Sequence, residues 1–488
     1  MRMLIASRWC DASDGATMAV LNPATGELID HVPSATDDDV QRAVDAAQGG
    51  RRAMAGLPAH ARAQVLVDAA DRLVAEREGI SRMLAAENGK PIRQTREEVD
   101  AAARILRGFG EEAKRLFGRQ VPMDAVPGSE RHVAFTIRQP LGVIAAIVPF
   151  NYPLELYAHK VGAALASGNA VIGKPPSECP LTLLRLAEIL EACGLPPSAH
   201  QMITGRGERV GPLLAASPGV HMVTLTGSVP TGVQLGRIAA EHMKPFHAEL
   251  GGNDASIVCA DADLELAARA IVMGRLARGN GQICCSVKRV LVDRTVVEDF
   301  TRILAAQTAE LKTGDQLAED SDVGPLITER AATEVVARID AAVKAGARLI
   351  MGGTREGAFV APTILADVPV DEPVFREETF GPVLPIVAFD SIDEAVALAN
   401  DSPYGLQAAI FTTDLSTAMS VAYGLEAGGV IVNWSSAVRA ENLPFGGSKM
   451  SGHGREGLHD TMLSMTEQKV VYLHDVLATA VTGVEPAR

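Results

Sequence analysis

Leu141-Gly142-Val143-Ile144-Ala145-Ala146-Ile147-Val148-Pro149-Phe150-Asn151 is the stretch that decides the fold class. From Leu141 to Val148 the run is apolar, and it stops at a proline. A short unbroken apolar run closed by a turn signal reads as a strand buried on both faces. Helices and strands then alternate down the chain. Leu154 to Ala166 reads as a helix, Ala170 to Gly173 as a strand, Pro180 to Ala192 as a helix and Gln201 to Thr204 as a strand. Val220 to Thr226 is the next strand and Thr231 to His242 the next helix. Buried strands alternating with helices predict a parallel sheet wound by right-handed crossovers, the architecture that gathers ligands at its strand ends.

Working outward, a second alternating series begins near Asp254. It runs through Ala255 to Cys259, Leu264 to Leu276, Val287 to Val292, Val297 to Leu311, Val383 to Phe389, Ile392 to Asn400, Ala408 to Thr412 and Val430 to Asn433. This predicts a second α/β unit. Upstream, residues from Asp38 to about Phe117 carry helical spacing, with one long helix expected over Asp100 to Leu116. A Pro/Gly-containing stretch, Gly118 to Glu130, separates the two regions, and Lys469 to Leu473 is a short strand-like run near the end.

The chain has 488 residues, more than one core ordinarily supports. Its net charge of -15 disfavours nonspecific binding to nucleic acid or an anionic membrane. Cys10, Cys179, Cys193, Cys259, Cys284 and Cys285 form neither a zinc-ligand spacing nor a disulfide framework. Neither the start of the chain nor its longest apolar run is long enough for a signal peptide or a membrane span. The expectation is a soluble protein of a reducing compartment, the cytoplasm, with no metal site, no nucleic-acid partner and no membrane partner.

Four segments could carry chemistry. In Gly281-Gln282-Ile283-Cys284-Cys285-Ser286, a cysteine lies between a helix and a strand. Taken alone, such a cysteine is more often an inert core residue than a nucleophile. Glu249-Leu250-Gly251-Gly252 puts a carboxylate at a strand end beside two glycines that permit close backbone approach. Asn151 comes directly after a strand, where its amide can face a developing oxyanion, although Asn between prolines also marks a plain turn. Thr226-Gly227-Ser228-Val229-Pro230-Thr231-Gly232 leads from a strand into a helix, whose free N–H groups suit a phosphate.

Taken together these segments resemble the aldehyde dehydrogenase superfamily. Further similar blocks are Asn22-Pro23-Ala24-Thr25-Gly26, Lys174-Pro175-Pro176-Ser177-Glu178, Glu377-Glu378-Thr379-Phe380-Gly381-Pro382, Pro444-Phe445-Gly446-Gly447-Ser448-Lys449 and Gly454-Arg455-Glu456. They stand in the family's order across nearly the whole chain. The resemblance implies an NAD(P)-binding domain over residues 1–117 and 140–250, and a catalytic domain over 251–449. It also implies an oligomerisation arm and tail over 118–139 and 465–488, in a homodimer or homotetramer.

It implies roles as well. Cys284 matches the nucleophile, Asn151 the oxyanion donor and Glu249 the base that activates water. Members that pass the acyl group to coenzyme A usually lack this glutamate, so a free acid is the expected product. Phe150, Lys174, Ser177, Thr226, Gly227, Ser228, Leu250, Glu378 and Phe380 match the cofactor site for NAD or NADP. Many NAD-preferring members have a glutamate where this chain has Ser177, with Glu178 one place later, so cofactor preference stays open. Within the family the chain is similar to the lactaldehyde, phosphonoacetaldehyde and non-phosphorylating glyceraldehyde-3-phosphate dehydrogenase branch. Arg107, His159 and Arg439 are accordingly expected to bind a short anionic aldehyde, with Trp434 narrowing the pocket. Each has a simpler reading: Arg107 pairing with Glu111 on a helix, a structural His159, a solvated Arg439. The alternative is a general aldehyde or semialdehyde dehydrogenase without anion selectivity.

Overall fold

The computed structural model describes residues 1–477. Its centre is an eight-stranded sheet that includes the opening stretch as Val143–Ile147. Every residue of that strand is buried, and its β-branched side chains pack on both faces. The sheet order is Arg8–Cys10, Met3–Ile5, His200–Met202, Ala170–Lys174, Val143–Ile147, Met222–Thr226, Phe246–Glu249, Gly452–His453. The five inner strands are parallel, and the outer strands are antiparallel. The N-terminal hairpin, Met3–Ile5 with Arg8–Cys10, joins this sheet at one edge, an addition that the alternating pattern does not predict.

A second sheet has seven strands, in the order Arg348–Met351, Thr363–Ala366, Val383–Phe389, Arg289–Asp293, Ala255–Val258, Gln407–Phe411, Gly429–Val432. All pairings in it are parallel except that of Arg348–Met351. The α/β expectation therefore holds for both series.

The helix Pro153–Ala166 is buried on almost every side, because it lies between the first sheet and the helix Ile92–Glu112. Gly162 makes that contact possible: a Cβ there would stand 2.6 Å from the Phe109 ring. The long helix starts at Ile92, directly after Pro91, rather than at Asp100. The reading from Leu264 to Leu276 as one helix also changes: after Ile271 the backbone widens into a π-helical segment, Val272–Ala277. The helix Glu329–Lys344 adds an element absent from the sequence reading.

Thr466–Leu473 pairs antiparallel with Val133–Pro140, which pairs in turn with Gln120–Val121. This small sheet exposes Ile137, Val470, Tyr472 and Leu473. Residues 478–488 of the expected tail lie outside the described residues. Among the described residues no helix is long and apolar enough to cross a membrane.

Candidate active site

The candidate nucleophile is delivered by a tight turn. After the π-helical segment, Gly279, Asn280 and Gly281 all adopt positive φ. Asn280 tolerates this because its side chain is fully engaged. Its Nδ2 donates to the carbonyls of Gly89 and Pro325, both at 2.9 Å, and its Oδ1 accepts from the Gly324 N–H at 2.8 Å. Gly281 has no alternative, since a Cβ there would lie 2.4 Å from the Gly381 carbonyl carbon.

Arg275, fully buried, fixes the turn from below. It donates to Gly281 O, Ser286 Oγ, Thr379 O and Val383 O, at 2.8 to 3.2 Å. Lys288 adds a second clamp. Its Nζ donates to the carbonyls of Ile283 and Cys284 and stands 3.3 Å from Glu378 Oε1.

The neighbouring thiols of Cys284 and Cys285 act on each other. A hydrogen bond from one thiol to the other, then burial, raises Cys284, and the same bond holds Cys285 at about 7. Lys288 and Arg439 favour a thiolate on either sulfur. Both line the same pocket, and exposure separates them: Cys285 is buried, whereas Cys284 is partly exposed.

Asn151 stands on the opposite wall. Its carbonyl accepts from Lys90 at 2.7 Å, the Phe150 carbonyl accepts from Asn88 at 2.5 Å, and its side-chain Oδ1 has no partner. Lys90 is paired with buried Glu98, whose other oxygen accepts from the Leu154 N–H at 2.9 Å and so caps the next helix.

Cys284 and Asn151 line one pocket with Tyr152, Arg278, Arg439 and Phe445. Glu155 is the one carboxylate in its lining. The Arg439 guanidinium lies 4.5 Å over the Phe445 ring, donates from Nη2 to Glu456 Oε2 at 2.6 Å, and leaves its buried Nε without a partner. Arg278 donates to the Ala437 carbonyl at 3.1 Å and lies 5.8 Å from the Tyr152 ring.

The structure does not bring Arg107 here. It is exposed and paired with Asp71, because its face of the long helix turns toward Ala59–Ala75. Glu111, the alternative partner for Arg107, instead lies 3.8 Å from Arg115. His159 is buried, edge-on to Phe109, and is absent from the lining. Burial and then Arg439 keep its imidazole neutral. Trp434 is exposed and does not narrow the pocket, whose walls come from Tyr152, Ile283 and Phe445.

Two residues of the site carry no signal of their own in the sequence. Arg278 stands just before the Gly279-Asn280-Gly281 turn, and that position is the only hint of its role. Glu456 belongs to the Gly454-Arg455-Glu456 block, which does not reveal its partners. The structure gives it two cations, Lys160 at 2.7 Å and Arg439 at 2.6 Å. Burial works against its charge, but Lys160 and Arg439 hold the carboxyl well below the usual range.

Glu249, at the end of Phe246–Glu249, is 2% exposed and does not line the Cys284 pocket. Its carboxyl lies 3.7 Å from His247, and both of its oxygens lack hydrogen-bond partners. Burial and then the Glu456 charge push it well above the ordinary carboxylate value.

Four of the remaining candidates, Phe150, Ser177, Glu378 and Phe380, border a groove. Phe150, Glu178, Gln282, Glu378 and Phe380 line one part of it, and Ser177, Glu178 and Arg206 the adjoining part. Phe150 and Phe380 meet edge to face at 5.9 Å. The Gly252 N–H donates to Glu378 at 3.1 Å, and a Cβ on Gly251 would collide with the Glu378 carboxyl.

Lys174, lowered to about 8 by burial, donates to Ser177 Oγ at 3.4 Å. Thr226 Oγ1 is buried and unpartnered. The helix Val229–Glu241 begins after Ser228 with no side-chain cap, while the Gly227 N–H is taken by the Glu249 carbonyl at 3.0 Å. Leu250 packs over Gly232. Uncapped helix amides, an orphan threonine hydroxyl and a lysine beside small residues fit a dinucleotide.

Residues 9–471 match the aldehyde dehydrogenase family. The chain belongs to that family. A 3-sulfolactaldehyde dehydrogenase from Priestia aryabhattai is 42% identical over 457 residues, covering 94% of this chain and 95% of that relative. A lactaldehyde dehydrogenase from Methanococcus maripaludis is 36% identical, covering 97% of this chain and 100% of that relative. Among solved structures, glyceraldehyde-3-phosphate dehydrogenase GapN from Methanocaldococcus jannaschii, complexed with NADP, superposes with a TM-score of 0.90 at 35% identity, covering 94% and 99% of the two chains. This aldehyde dehydrogenase is an oxidoreductase that uses NAD or NADP.

Proposed function

We propose that this aldehyde dehydrogenase oxidises a short anionic aldehyde, bearing a sulfonate, carboxylate, phosphate or phosphonate, to the free carboxylic acid. One observation carries the reading: Arg278 and Arg439 share a pocket with Cys284 and Asn151, and the buried Arg439 Nε has no protein partner. A guanidinium is the donor best matched to an oxyanion's geometry. The name of the Priestia relative supports the same substrate class.

In this mechanism the Cys284 thiolate attacks the aldehyde carbon, forming a C–S bond and an oxyanion. The Asn151 amide and the Cys284 backbone N–H hold that oxyanion. NAD or NADP, when bound along Lys174, Ser177, Ser228, Glu378 and Phe380, supplies the hydride acceptor that turns the adduct into a thioester. Water then attacks the thioester, Glu249 takes its proton, and the Cys284 thiolate leaves as the acid forms. Ser177, with Lys174 and Arg206 beside it, leaves room for the phosphate of NADP as well as for NAD. The small sheet of Gln120–Val121, Val133–Pro140 and Thr466–Leu473, with its exposed apolar residues, serves as the oligomerisation arm in this reading.

The test is the initial rate of cofactor reduction with neutral, carboxylated, sulfonated and phosphorylated short aldehydes, each with NAD and NADP. Preference for an anionic aldehyde, lost in Arg439→Ala or Arg278→Ala, supports the proposal. The competing reading, an enzyme without anion selectivity, draws on Glu155 facing the pocket and Glu456 engaging Arg439. Equal rates with neutral aldehydes favour it.

A further inference from the structure

His247 and Glu249 are two residues apart on one strand, so both side chains project from the same face. His247 Nε2 lies 3.7 Å from Glu249 Oε1, and neither side chain has a hydrogen-bond partner. Each side chain is only 3% exposed. Two glycines shape the space they occupy. A Cβ on Gly446 would lie 2.6 Å from Glu249 Oε1, and a Cβ on Gly454 would lie 2.6 Å from the His247 ring. Neither residue lines the pocket that holds Cys284.

We propose that His247 is a positioning residue that receives the Glu249 carboxyl in a withdrawn position. The carboxyl is parked there while Cys284 is acylated, and it swings to the thioester only for hydrolysis. The proposal rests on the reading of Glu249 as the base.

Five charged or titratable groups bear on the pair. Glu456, Lys160 and Arg455 act on both members, Arg439 acts on Glu249 and His453 on His247. Burial holds the His247 imidazole at about 4, so it is neutral when the enzyme works. A neutral imidazole can present an N–H to a carboxylate or a lone pair to a carboxylic acid, and it adds no fixed charge to a site crowded by Glu456. The gap of 3.7 Å closes to a hydrogen bond with a small side-chain rotation. Removing the imidazole removes the donor for the ionised carboxyl, so Glu249 in the variant titrates at higher pH.

The experiment is rapid-mixing kinetics of the full-length enzyme with a turned-over aldehyde across pH, for wild type, His247→Leu, His247→Gln and His247→Asn. The burst of reduced cofactor reports acylation at Cys284, and the later steady rate reports hydrolysis. His247→Leu is expected to keep the burst, lower hydrolysis at neutral pH by about tenfold, and raise the pH midpoint of hydrolysis. Gln carries an amide at the position of Nε2 and is expected to restore the midpoint. Asn carries its amide at the position of Nδ1 and is expected not to. Should the Leu variant fail to fold, the Gln and Asn pair makes the comparison alone. An unchanged midpoint in His247→Leu, or identical Gln and Asn profiles, overturns the proposal. Glu249→Gln serves as the control: if it hydrolyses the acyl-enzyme at the wild-type rate, the base assignment itself falls, whatever His247 does.

Discussion

Arg439 donates through Nη2 to Glu456 at 2.6 Å, while its buried Nε faces no protein acceptor. The same residue therefore both braces Glu456 and lines the Cys284 pocket. A charge-assisted hydrogen bond to substrate contributes about 1.5–3 kcal/mol. Arg439→Ala should lower kcat/KM for an anionic aldehyde by about tenfold to a hundredfold, with a smaller effect on a neutral one. Arg107→Ala should change neither by more than about twofold, because the Arg107–Asp71 pair is exposed. Steady-state rates for both variants decide the matter, and equal losses on both substrates would reduce Arg439 to a scaffold.

Cys284→Ser should abolish aldehyde oxidation and leave cofactor binding intact. Cys285→Ser should retain most turnover, because Cys285 is buried in the core whereas Cys284 is partly exposed. Mass spectrometry of the enzyme quenched during turnover checks which sulfur carries the acyl group. Acyl label on Cys285 would reverse the assignment.

Ser177→Glu introduces a carboxylate beside Lys174, where Ser177 Oγ now accepts from Nζ at 3.4 Å. Repulsion between that carboxylate and a ribose phosphate should cut kcat/KM for NADP by about tenfold or more and spare NAD. A variant that keeps its NADP rate would show that Ser177 lies away from the phosphate.

His200 gives a pH-dependent stability. Its Nε2 lies 2.6 Å from the Tyr157 hydroxyl, and burial lowers the imidazole to about 3. The unfolded chain protonates this histidine below about 6.5, whereas the folded protein does not until much lower pH. The unfolded state then binds more protons, so stability is lost as pH falls from about 6.5 toward 3. Urea unfolding of wild type and His200→Gln, compared at pH 7 and pH 5, isolates the effect. The difference between them should shift against wild type by about 2 kcal/mol at pH 5. A difference independent of pH would mean that His200 is protonated alike in both states.

Local pattern reaches only some of this. Ile392–Asn400 and Val383–Phe389 are legible to the residue, because each is a short periodic run with clear stops. The helix Ile92–Glu112 shows its start poorly because its first turns bury Thr95 and Glu98, polar residues that interrupt the apolar period. Thr466–Leu473 reads short in the sequence because Glu467 and Gln468 pair with Gln139 and Arg138 on an exposed ladder.

In the site, compact motifs single out Cys284 and Asn151, and the fold brings these two to one pocket. Contacts between distant segments are not. Lys160 and Glu456 are 296 positions apart, and nothing near either predicts the other. Arg107 misleads because a helix motif specifies a residue's neighbours along the chain but not which face turns inward.

The Arg275 clamp bears on how the enzyme ages and adapts. One planar side chain ties the nucleophile turn at Gly281 and Ser286 to Thr379, between Glu378 and Phe380. The turn that carries the Cys284 sulfur and the segment around Thr379 are thus mounted on a common bracket. The Arg278 and Arg439 walls hang on other fastenings, Ala437 and Glu456. Substitutions in those walls can therefore reshape the pocket while the Arg275 bracket stays in place.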